Sequence, residues 1–143
     1  ATFTLRLAFG TVKGYEEDKK WIASFTTFSG LYEHAKEMKN RPPFDLPEIW
    51  VKRKSRLNLD TPFNFVSTDD IIGGNSGSPV VNRAGEFVGI IFDGNLQSLP
   101  WDYAYTDKQS RVTSVDSASI VEALDRVYDA KDIAAELVSG HRK

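Results

Sequence analysis

Cysteine and histidine, two residue types that carry much of protein chemistry, are absent or nearly absent from this chain. Its 143 residues contain no cysteine and only two histidines, His34 and His141. The lack of cysteine excludes disulfide cross-links, thiolate nucleophiles and cysteine-ligated zinc. The scarcity of histidine limits the choice of general base for any reaction that needs one.

Long apolar runs and a large excess of one charge are missing as well. No run approaches the roughly 18 apolar residues of a membrane-spanning helix, so no membrane span is predicted. Eighteen basic and twenty acidic residues give a net charge of −2, which argues against a nucleic-acid partner. The basic run at residues 52–56 is therefore assigned to a solvated face. The length predicts a single domain over residues 1–143.

Strict alternation of apolar and polar residues opens the chain. Phe3, Leu5, Leu7 and Phe9 fall on one face, which is the pattern of a half-buried β-strand. The chain has no initiator Met and starts directly in this pattern. We therefore expect a fragment of a longer protein.

The rest of the chain predicts a mostly antiparallel β fold with two helical segments. Strands are expected over residues 21–28, 63–66 and 86–92, the last of them buried on both faces. Helical spacing predicts a short internal helix over 30–40 and a C-terminal helix from Ser119, where Ser119 and Glu122 have the spacing of a capping box. Residues 44–60 and 94–112 are expected to be mainly loop, and 83–85 a hairpin turn.

Residues 73–79, with the sequence Gly-Gly-Asn-Ser-Gly-Ser-Pro, carry the strongest chemical signal. Glycines on both sides of Ser76 permit a tight turn that leaves its hydroxyl uncovered. The same turn can direct the backbone N–H groups of Gly74 and Ser76 at one point, as an oxyanion hole requires. An ordinary turn between strands is the alternative. We interpret Ser76 as a nucleophile, because a turn alone seldom requires this glycine and proline pattern.

This run resembles the active-site serine segment of the chymotrypsin-like peptidases, whose general form is Gly-Asp/Asn-Ser-Gly-Gly/Ser-Pro. It is more similar still to the bacterial dipeptidyl-peptidases of types VII and XI. The similarity extends over residues 1–15, 25–32, 64–99 and 115–117. The resemblance implies the second barrel of a double-barrel peptidase, that is, a mainly β, chymotrypsin-like antiparallel β-barrel with a short internal helix and a C-terminal helix. It also implies a periplasmic or cell-surface bacterial hydrolase that releases dipeptides from peptides with a free N-terminus.

The resemblance also suggests roles for two residues that follow Ser76. Asp93 is implied to bind the free α-ammonium group of the substrate, although an Asp-Gly turn at a strand end is an alternative. Gly94 matches a position that carries Arg in enzymes specific for acidic residues and Gly in enzymes that prefer hydrophobic ones. It therefore implies a hydrophobic preference at the second residue. Asn75 stands where activatable relatives carry Asp, so activation by pairing with a new N-terminus is not expected.

Neither histidine is suited to act as the base for Ser76. His34 lies in a charged helical context and His141 lies near the C-terminal end of the chain. The resemblance implies that the catalytic His and Asp lie in the upstream half of the same protein. We therefore expect that missing half to be a partner of this chain. We expect the 143-residue chain alone to be inactive.

Two other functions remain open at this stage. One is an endopeptidase of the glutamyl-endopeptidase type, which shares the Gly-Asn-Ser-Gly-Ser-Pro run, and the other is a non-catalytic peptide-binding module. No cofactor or metal is implied, because acyl transfer through serine needs neither. Exposed edge strands make a homo-oligomer possible for the isolated chain.

Overall fold

The computed structural model describes residues 5–142 and divides the chain into two compact units. The sheet unit comprises Ala1–Phe25 and Asn64–Asp116, and the helical unit comprises Thr26–Phe63 and Ser117–Lys143. Each unit has its own cluster of buried apolar side chains. The prediction of a single domain stays a prediction.

The strands are short and pair in antiparallel fashion wherever their register is defined. They are β1 (Tyr15–Glu17), β2 (Lys20–Ile22), β3 (Phe25–Thr27), β4 (Pro62–Ser67), β5 (Pro79–Val81), β6 (Phe87–Gly94) and β7 (Val112–Asp116). The first two form a hairpin, and the others form a five-stranded sheet in the order β3-β4-β7-β6-β5. The predicted fold class, mainly antiparallel β with a short internal helix and a C-terminal helix, is confirmed.

The hairpin between β5 and β6 is formed by the predicted turn. Asn82 Oδ1 accepts hydrogen bonds from the backbone N–H groups of Ala84 (2.9 Å) and Glu86 (3.1 Å). Gly85 adopts a φ of 81°, a left-handed conformation that is unfavourable for residues with a Cβ. Local side-chain and backbone chemistry therefore closes this turn, which explains why it was recognisable in the sequence.

The expectation that β6 is buried on both faces is wrong. Gly89 and Ile91 are buried, whereas Phe87 and Phe92 near the two ends of the strand are 47 % and 42 % exposed. Both neighbours of β6 are sheet strands, so its backbone is paired on both edges. A nearly continuous apolar sequence does not by itself provide a second covering layer.

The predicted opening strand is also wrong within the described residues. Leu5, Leu7 and Phe9 are more than four-fifths exposed and lie outside any strand, while Phe3 falls outside the described residues. The nearest pairing is an isolated bridge between Val12 and Ser67. Alternation predicts a strand only where a neighbouring strand and a covered face are present, and the described residues supply neither here.

The sheet unit is held together from within by a buried guanidinium group. Arg111 is 1 % exposed and donates hydrogen bonds of 2.7 Å to the carbonyl oxygens of Lys13, Gly14, Asp107 and Ser110. Its guanidinium also lies 5.4 Å from the centre of the Tyr15 ring. One side chain thus links the segment before β1 to the segment before β7.

The helical unit contains more helix than the sequence predicted. Its helices are α1 (Phe28–Glu37), α2 (Glu48–Arg53), a 3-10 turn (Lys54–Arg56), α3 (Ser117–Glu122), a π-helical turn (Ala123–Val127) and α4 (Lys131–Ser139). The internal helix is confirmed, but the expectation of loop over residues 44–60 is wrong at α2. Six residues are too few to show a helical period, yet Ile49 and Trp50 pack against the core formed by Phe28, Tyr32, Leu57 and Val127.

Ser119 and Glu122 do not form the predicted capping box. The helix begins at Ser117, and the Ser119 hydroxyl donates to the Phe63 carbonyl oxygen at 3.1 Å. The Glu122 carboxylate accepts hydrogen bonds from the Asn58 backbone N–H (2.5 Å) and from the Thr61 hydroxyl. Both side chains therefore make long-range contacts, and the helix starts two residues earlier than its sequence pattern indicates.

The basic run at residues 52–56 is largely satisfied within the helical unit. Asp129 pairs with Arg53 at 2.5 Å and with Arg56, and Arg53 also donates to the Val127 carbonyl oxygen. The hydrogen bond from Arg56, supported by the charge of Arg53, lowers the pKa of Asp129 below its ordinary value. Asp129 has a φ of 54°, so it occupies a left-handed position between the π-helical turn and α4.

We predict that Asp129→Asn lowers the melting temperature at neutral pH and flattens its dependence on acid pH. Because the folded-state pKa of Asp129 is lowered, its contribution is complete above the ordinary carboxyl pKa and is lost as the pH falls through the folded-state value. Asn tolerates the same left-handed backbone, so the comparison isolates the charge. Thermal unfolding between pH 7 and pH 2 measures this. Parallel curves for the two proteins would contradict it.

A second prediction concerns Arg111. Replacement by Met leaves four carbonyl oxygens without their shared donor, and we expect a loss of at least about 2 kcal/mol in the free energy of unfolding. Arg111→Lys keeps the charge but cannot reach all four oxygens, so it should recover only part of the loss. Urea unfolding measures both. Full recovery by Lys would show that charge alone matters.

Candidate active site

The loop at residues 73–79 depends on two glycines with left-handed backbone angles. Gly74 has a φ of 99° and Gly77 a φ of 90°. Between them, Asn75 Oδ1 accepts from the Ile72 backbone N–H at 3.1 Å, and the Asn75 N–H donates to the Ile72 carbonyl at 3.2 Å. Asn75 is thus a turn-forming residue.

Two backbone hydrogen bonds attach this loop to β6. The Gly77 N–H donates to the Ile91 carbonyl oxygen at 2.8 Å, and the Ile91 N–H donates to the Ser78 carbonyl oxygen at 3.0 Å. Since β6 pairs with β5 on one edge and β7 on the other, the loop is fixed to a central strand. Ser76 therefore lies on an ordered scaffold next to the C-terminal half of β6.

The Ser76 hydroxyl is exposed and donates to the Phe92 carbonyl oxygen at 3.1 Å. A backbone carbonyl cannot take a proton at neutral pH, so this contact orients the hydroxyl without activating it. The sheet unit contains no histidine, and both His34 and His141 belong to the helical unit. His34 makes an edge-to-face contact with the Phe44 ring, at 5.1 Å between ring centres.

The amide hydrogens around Ser76 fall into two groups. Those of Asn75, Gly77 and Ser78 are used within the loop and by β6. Within residues 5–142, no protein acceptor is found for the N–H groups of Gly74 and Ser76. These two donors remain available to a ligand, as an oxyanion hole requires.

Asp93 follows a β-bulge in β6. The register with β7 shifts between Ile91 and Asp93, so Phe92 is the additional residue. Bulges redirect side chains and are frequent next to active sites. Asp93 Oδ1 accepts from the Gly94 N–H at 2.8 Å, and within the described part of the chain no Lys or Arg pairs with this carboxylate. Asp93 thus forms the expected turn contact and retains an unpaired negative charge.

Ser76, Asp93 and Gly94 line one open cavity of about 270 Å³. Apolar side chains, backbone of the serine loop and a second carboxylate, that of Asp102, complete its lining. The other lining residues are Ile71, Ile72, Gly73, Gly74, Ser98, Leu99, Trp101 and Asp102. The structure therefore brings together the three side-chain positions that the sequence singled out, and no basic side chain is among the lining residues.

A 3-10 helix at Leu96–Asp102, which we call the pocket helix, was missed by the sequence reading. It contributes Ser98, Leu99, Trp101 and Asp102 to the cavity. Trp101 is 7 % exposed, packs with Ile91 and Val112, and stacks on Tyr105. Trp101 thus both lines the cavity and fills the core of the sheet unit.

No group of three or more His, Asp or Glu side chains in residues 5–142 is arranged to hold a metal ion. No helix in the same part of the chain combines the length and apolarity of a membrane span. The carboxylate of Asp69, which adjoins that of Asp70 in the sequence, accepts a 2.7 Å hydrogen bond from the Ser67 hydroxyl.

Solved structures that superpose on the fold of this chain include those of the peptidase DPP11. The structure of Porphyromonas endodontalis DPP11 in complex with substrate superposes with a TM-score of 0.82 at 25 % identity, covering 96 % of this chain and 21 % of that one. The complex of the same enzyme with the dipeptide Arg-Glu gives a TM-score of 0.78 at 26 % identity, covering 97 % and 20 %. The fold is therefore that of a peptidase.

The family follows from the sequence comparison. Residues 1–139 match Peptidase S46, and the chain belongs to this family. Dipeptidyl-peptidase 7 of Phocaeicola vulgatus is 36 % identical over 96 % of this chain, and the Asp/Glu-specific dipeptidyl-peptidase of Shewanella putrefaciens is 30 % identical over 96 %. The chain spans 20 % and 22 % of the lengths of these two curated relatives, about a fifth in each case. The resemblance stated from the serine loop is confirmed.

Proposed function

We propose that this chain is the nucleophile-bearing part of a serine-type dipeptidyl-peptidase, which releases dipeptides from peptides with a free N-terminus. The observation that carries the proposal is the cavity shared by the exposed Ser76 hydroxyl and the unpaired Asp93 carboxylate. A nucleophile and an ammonium-binding group in one cavity are what an exopeptidase of this kind requires. The dipeptidyl-peptidases among the relatives support the same reading.

In the proposed reaction, Ser76 Oγ attacks the carbonyl carbon of the second peptide bond. The free N–H groups of Gly74 and Ser76 stabilise the negative charge that develops on the carbonyl oxygen. The proton of Ser76 passes to a general base and then to the leaving amine, and water subsequently hydrolyses the acyl ester. Because the sheet unit has no histidine, we propose that the base and its Asp partner come from another part of the parent protein.

Asp93 supplies selection for a free N-terminus in this proposal. A charge-assisted contact between its carboxylate and the substrate α-ammonium contributes about 1.5–3 kcal/mol, which corresponds to a preference of tenfold or more over a blocked N-terminus. The absence of any Lys or Arg partner in residues 5–142 leaves the Asp93 charge available for this contact.

The lining of the cavity favours a hydrophobic second residue. Ile71, Ile72, Leu99 and Trp101 supply apolar surface, and Gly94 adds no side chain. Asp93 and Asp102 both disfavour an acidic substrate side chain, which would enter next to two like charges. We accordingly propose a substrate specificity that differs from that of the Asp/Glu-specific relatives. A periplasmic or cell-surface location remains part of the proposal.

The test of the function uses the full-length protein that contains this chain. We predict that a Gly-Phe coumarylamide with a free amine is hydrolysed at least about tenfold faster than its N-acetyl form. Ser76→Ala should lower the rate at least about a thousandfold. Equal hydrolysis of the two substrates would indicate an endopeptidase. No hydrolysis and no labelling of Ser76 by a fluorophosphonate would indicate a peptide-binding module.

A further prediction isolates Asp93. Asp93→Asn keeps the shape and the contact with the Gly94 N–H but removes the charge. We expect kcat/KM for the free-amine substrate to fall about tenfold to a hundredfold, while slow hydrolysis of the N-acetyl substrate stays unchanged. Asp102→Asn, which neutralises the other carboxylate of the cavity, is the matched control. An equal loss on both substrates would assign Asp93 a purely structural role.

A further inference from the structure

Gly94 and Ser98 both line the cavity and lie in close contact with each other. A Cβ atom built on Gly94 would overlap the Ser98 hydroxyl oxygen and lie 3.3 Å from Ser98 Cβ. The Arg111 carbonyl oxygen, at 3.5 Å, limits the space on another side. Ser98 therefore occupies the volume that a side chain at position 94 would otherwise use.

Ser98 cannot easily move out of this volume, because its hydroxyl and its helix are both anchored. The Ser98 hydroxyl donates to the Asn95 carbonyl oxygen at 2.7 Å, and its backbone N–H donates to the same oxygen at 2.9 Å. The neighbouring Gln97 accepts a 2.5 Å hydrogen bond on its carbonyl from the Ser110 hydroxyl, and its side-chain amide donates to Glu17. Hydrogen bonds thus hold the pocket helix in place at Ser98 and at Gln97.

The anchor extends to the strand that carries Gly94. The Asn95 N–H donates to the Arg111 carbonyl oxygen at 2.9 Å, and Asn95 Oδ1 accepts from the Arg111 N–H at 2.8 Å. Asn95, directly after Gly94, therefore holds the start of the pocket helix against Arg111, the residue that precedes β7. These hydrogen bonds restrain the backbone next to positions 94 and 98, so we expect a change at either position to alter the cavity.

We propose that Ser98 is a specificity-determining residue, which closes the cavity at Gly94 and limits the size of the substrate's second side chain. This inference rests on the proposed function, since it assigns the cavity to that side chain. The space beside the Cα atom of Gly94 is not empty, because the side chain of Ser98 occupies it. The depth of the cavity is then a joint property of positions 94 and 98.

The experiment compares Ser98→Gly, Ser98→Ala and Ser98→Thr in the full-length protein. Substrates are free-amine Gly-Ala, Gly-Leu and Gly-Phe coumarylamides. We expect Ser98→Gly to raise kcat/KM for Phe relative to Ala about tenfold, because one methylene of pocket space changes rates by roughly that factor. Ser98→Ala retains Cβ and should give a smaller increase. Ser98→Thr adds a methyl group and should shift the ratio in the opposite direction.

A double-mutant cycle tests the shared volume directly. Gly94→Ala alone should lower kcat/KM on all three substrates, because its methyl group overlaps Ser98. The double variant Gly94→Ala/Ser98→Gly should recover most of that activity. Ser110→Ala is the matched control, since it releases an anchor of the pocket helix at Gln97 without altering a lining residue. A change in the Phe/Ala ratio for Ser110→Ala equal to that for Ser98→Gly would overturn the proposal.

The outcomes separate this inference from the proposed function. Hydrolysis by the wild-type protein with an unchanged Phe/Ala ratio in all three Ser98 variants overturns the role of Ser98 and leaves the function standing. If the wild-type protein hydrolyses none of the substrates, the function fails, and calorimetric titration with the dipeptides Gly-Ala and Gly-Phe then decides the role of Ser98. Tighter Gly-Phe binding by Ser98→Gly than by wild type supports that role, and equal binding overturns it.

Discussion

The arrangement of the candidate site depends on the backbone hydrogen bonds between the serine loop and β6. Gly77 and Ser78 use their N–H and carbonyl groups on Ile91, so the loop extends the pairing of the sheet. This contact brings the Ser76 hydroxyl to the Phe92 carbonyl and places the loop next to the bulge that carries Asp93. A strand paired on both edges is a rigid support, which suits the nucleophile role proposed for Ser76, since a nucleophile must meet its substrate in one geometry.

Around that support, the cavity is completed by the pocket helix and by loop segments that tertiary contacts hold in place. The pocket helix is held by Asn95, by Gln97 and by the buried Trp101. Arg111 fixes the segment that precedes β7, because its guanidinium binds a carbonyl oxygen of that segment and two carbonyl oxygens of the segment before β1. Irregular segments fixed in this way are a common basis for functional sites, since a rigid scaffold can present loops of varied sequence.

The chain belongs to the Peptidase S46 family, and the proposed mechanism assigns the general base to another part of the parent protein. The chain contains a serine loop of the right form, but the unit that holds it has no histidine. Its relatives are about five times longer. The division of catalytic groups between distant parts of a chain is ordinary for serine peptidases, because the groups are defined by their positions in the fold and not by proximity in sequence.

The sequence by itself determined the features that rest on local backbone chemistry. Glycines around Ser76 predicted the loop, residues 83–85 with Gly85 predicted the hairpin turn, and helical spacing over 30–40 predicted the internal helix, because turns and helical periods are encoded by neighbouring residues. Tertiary packing determined the features that depend on burial and on contacts between distant residues. Leu5, Leu7 and Phe9 alternate without a covered face, and the partners of Glu122 and Asp129 lie more than sixty residues away. The space occupied by Ser98 likewise appears only in three dimensions, since burial and long-range contacts depend on the whole fold.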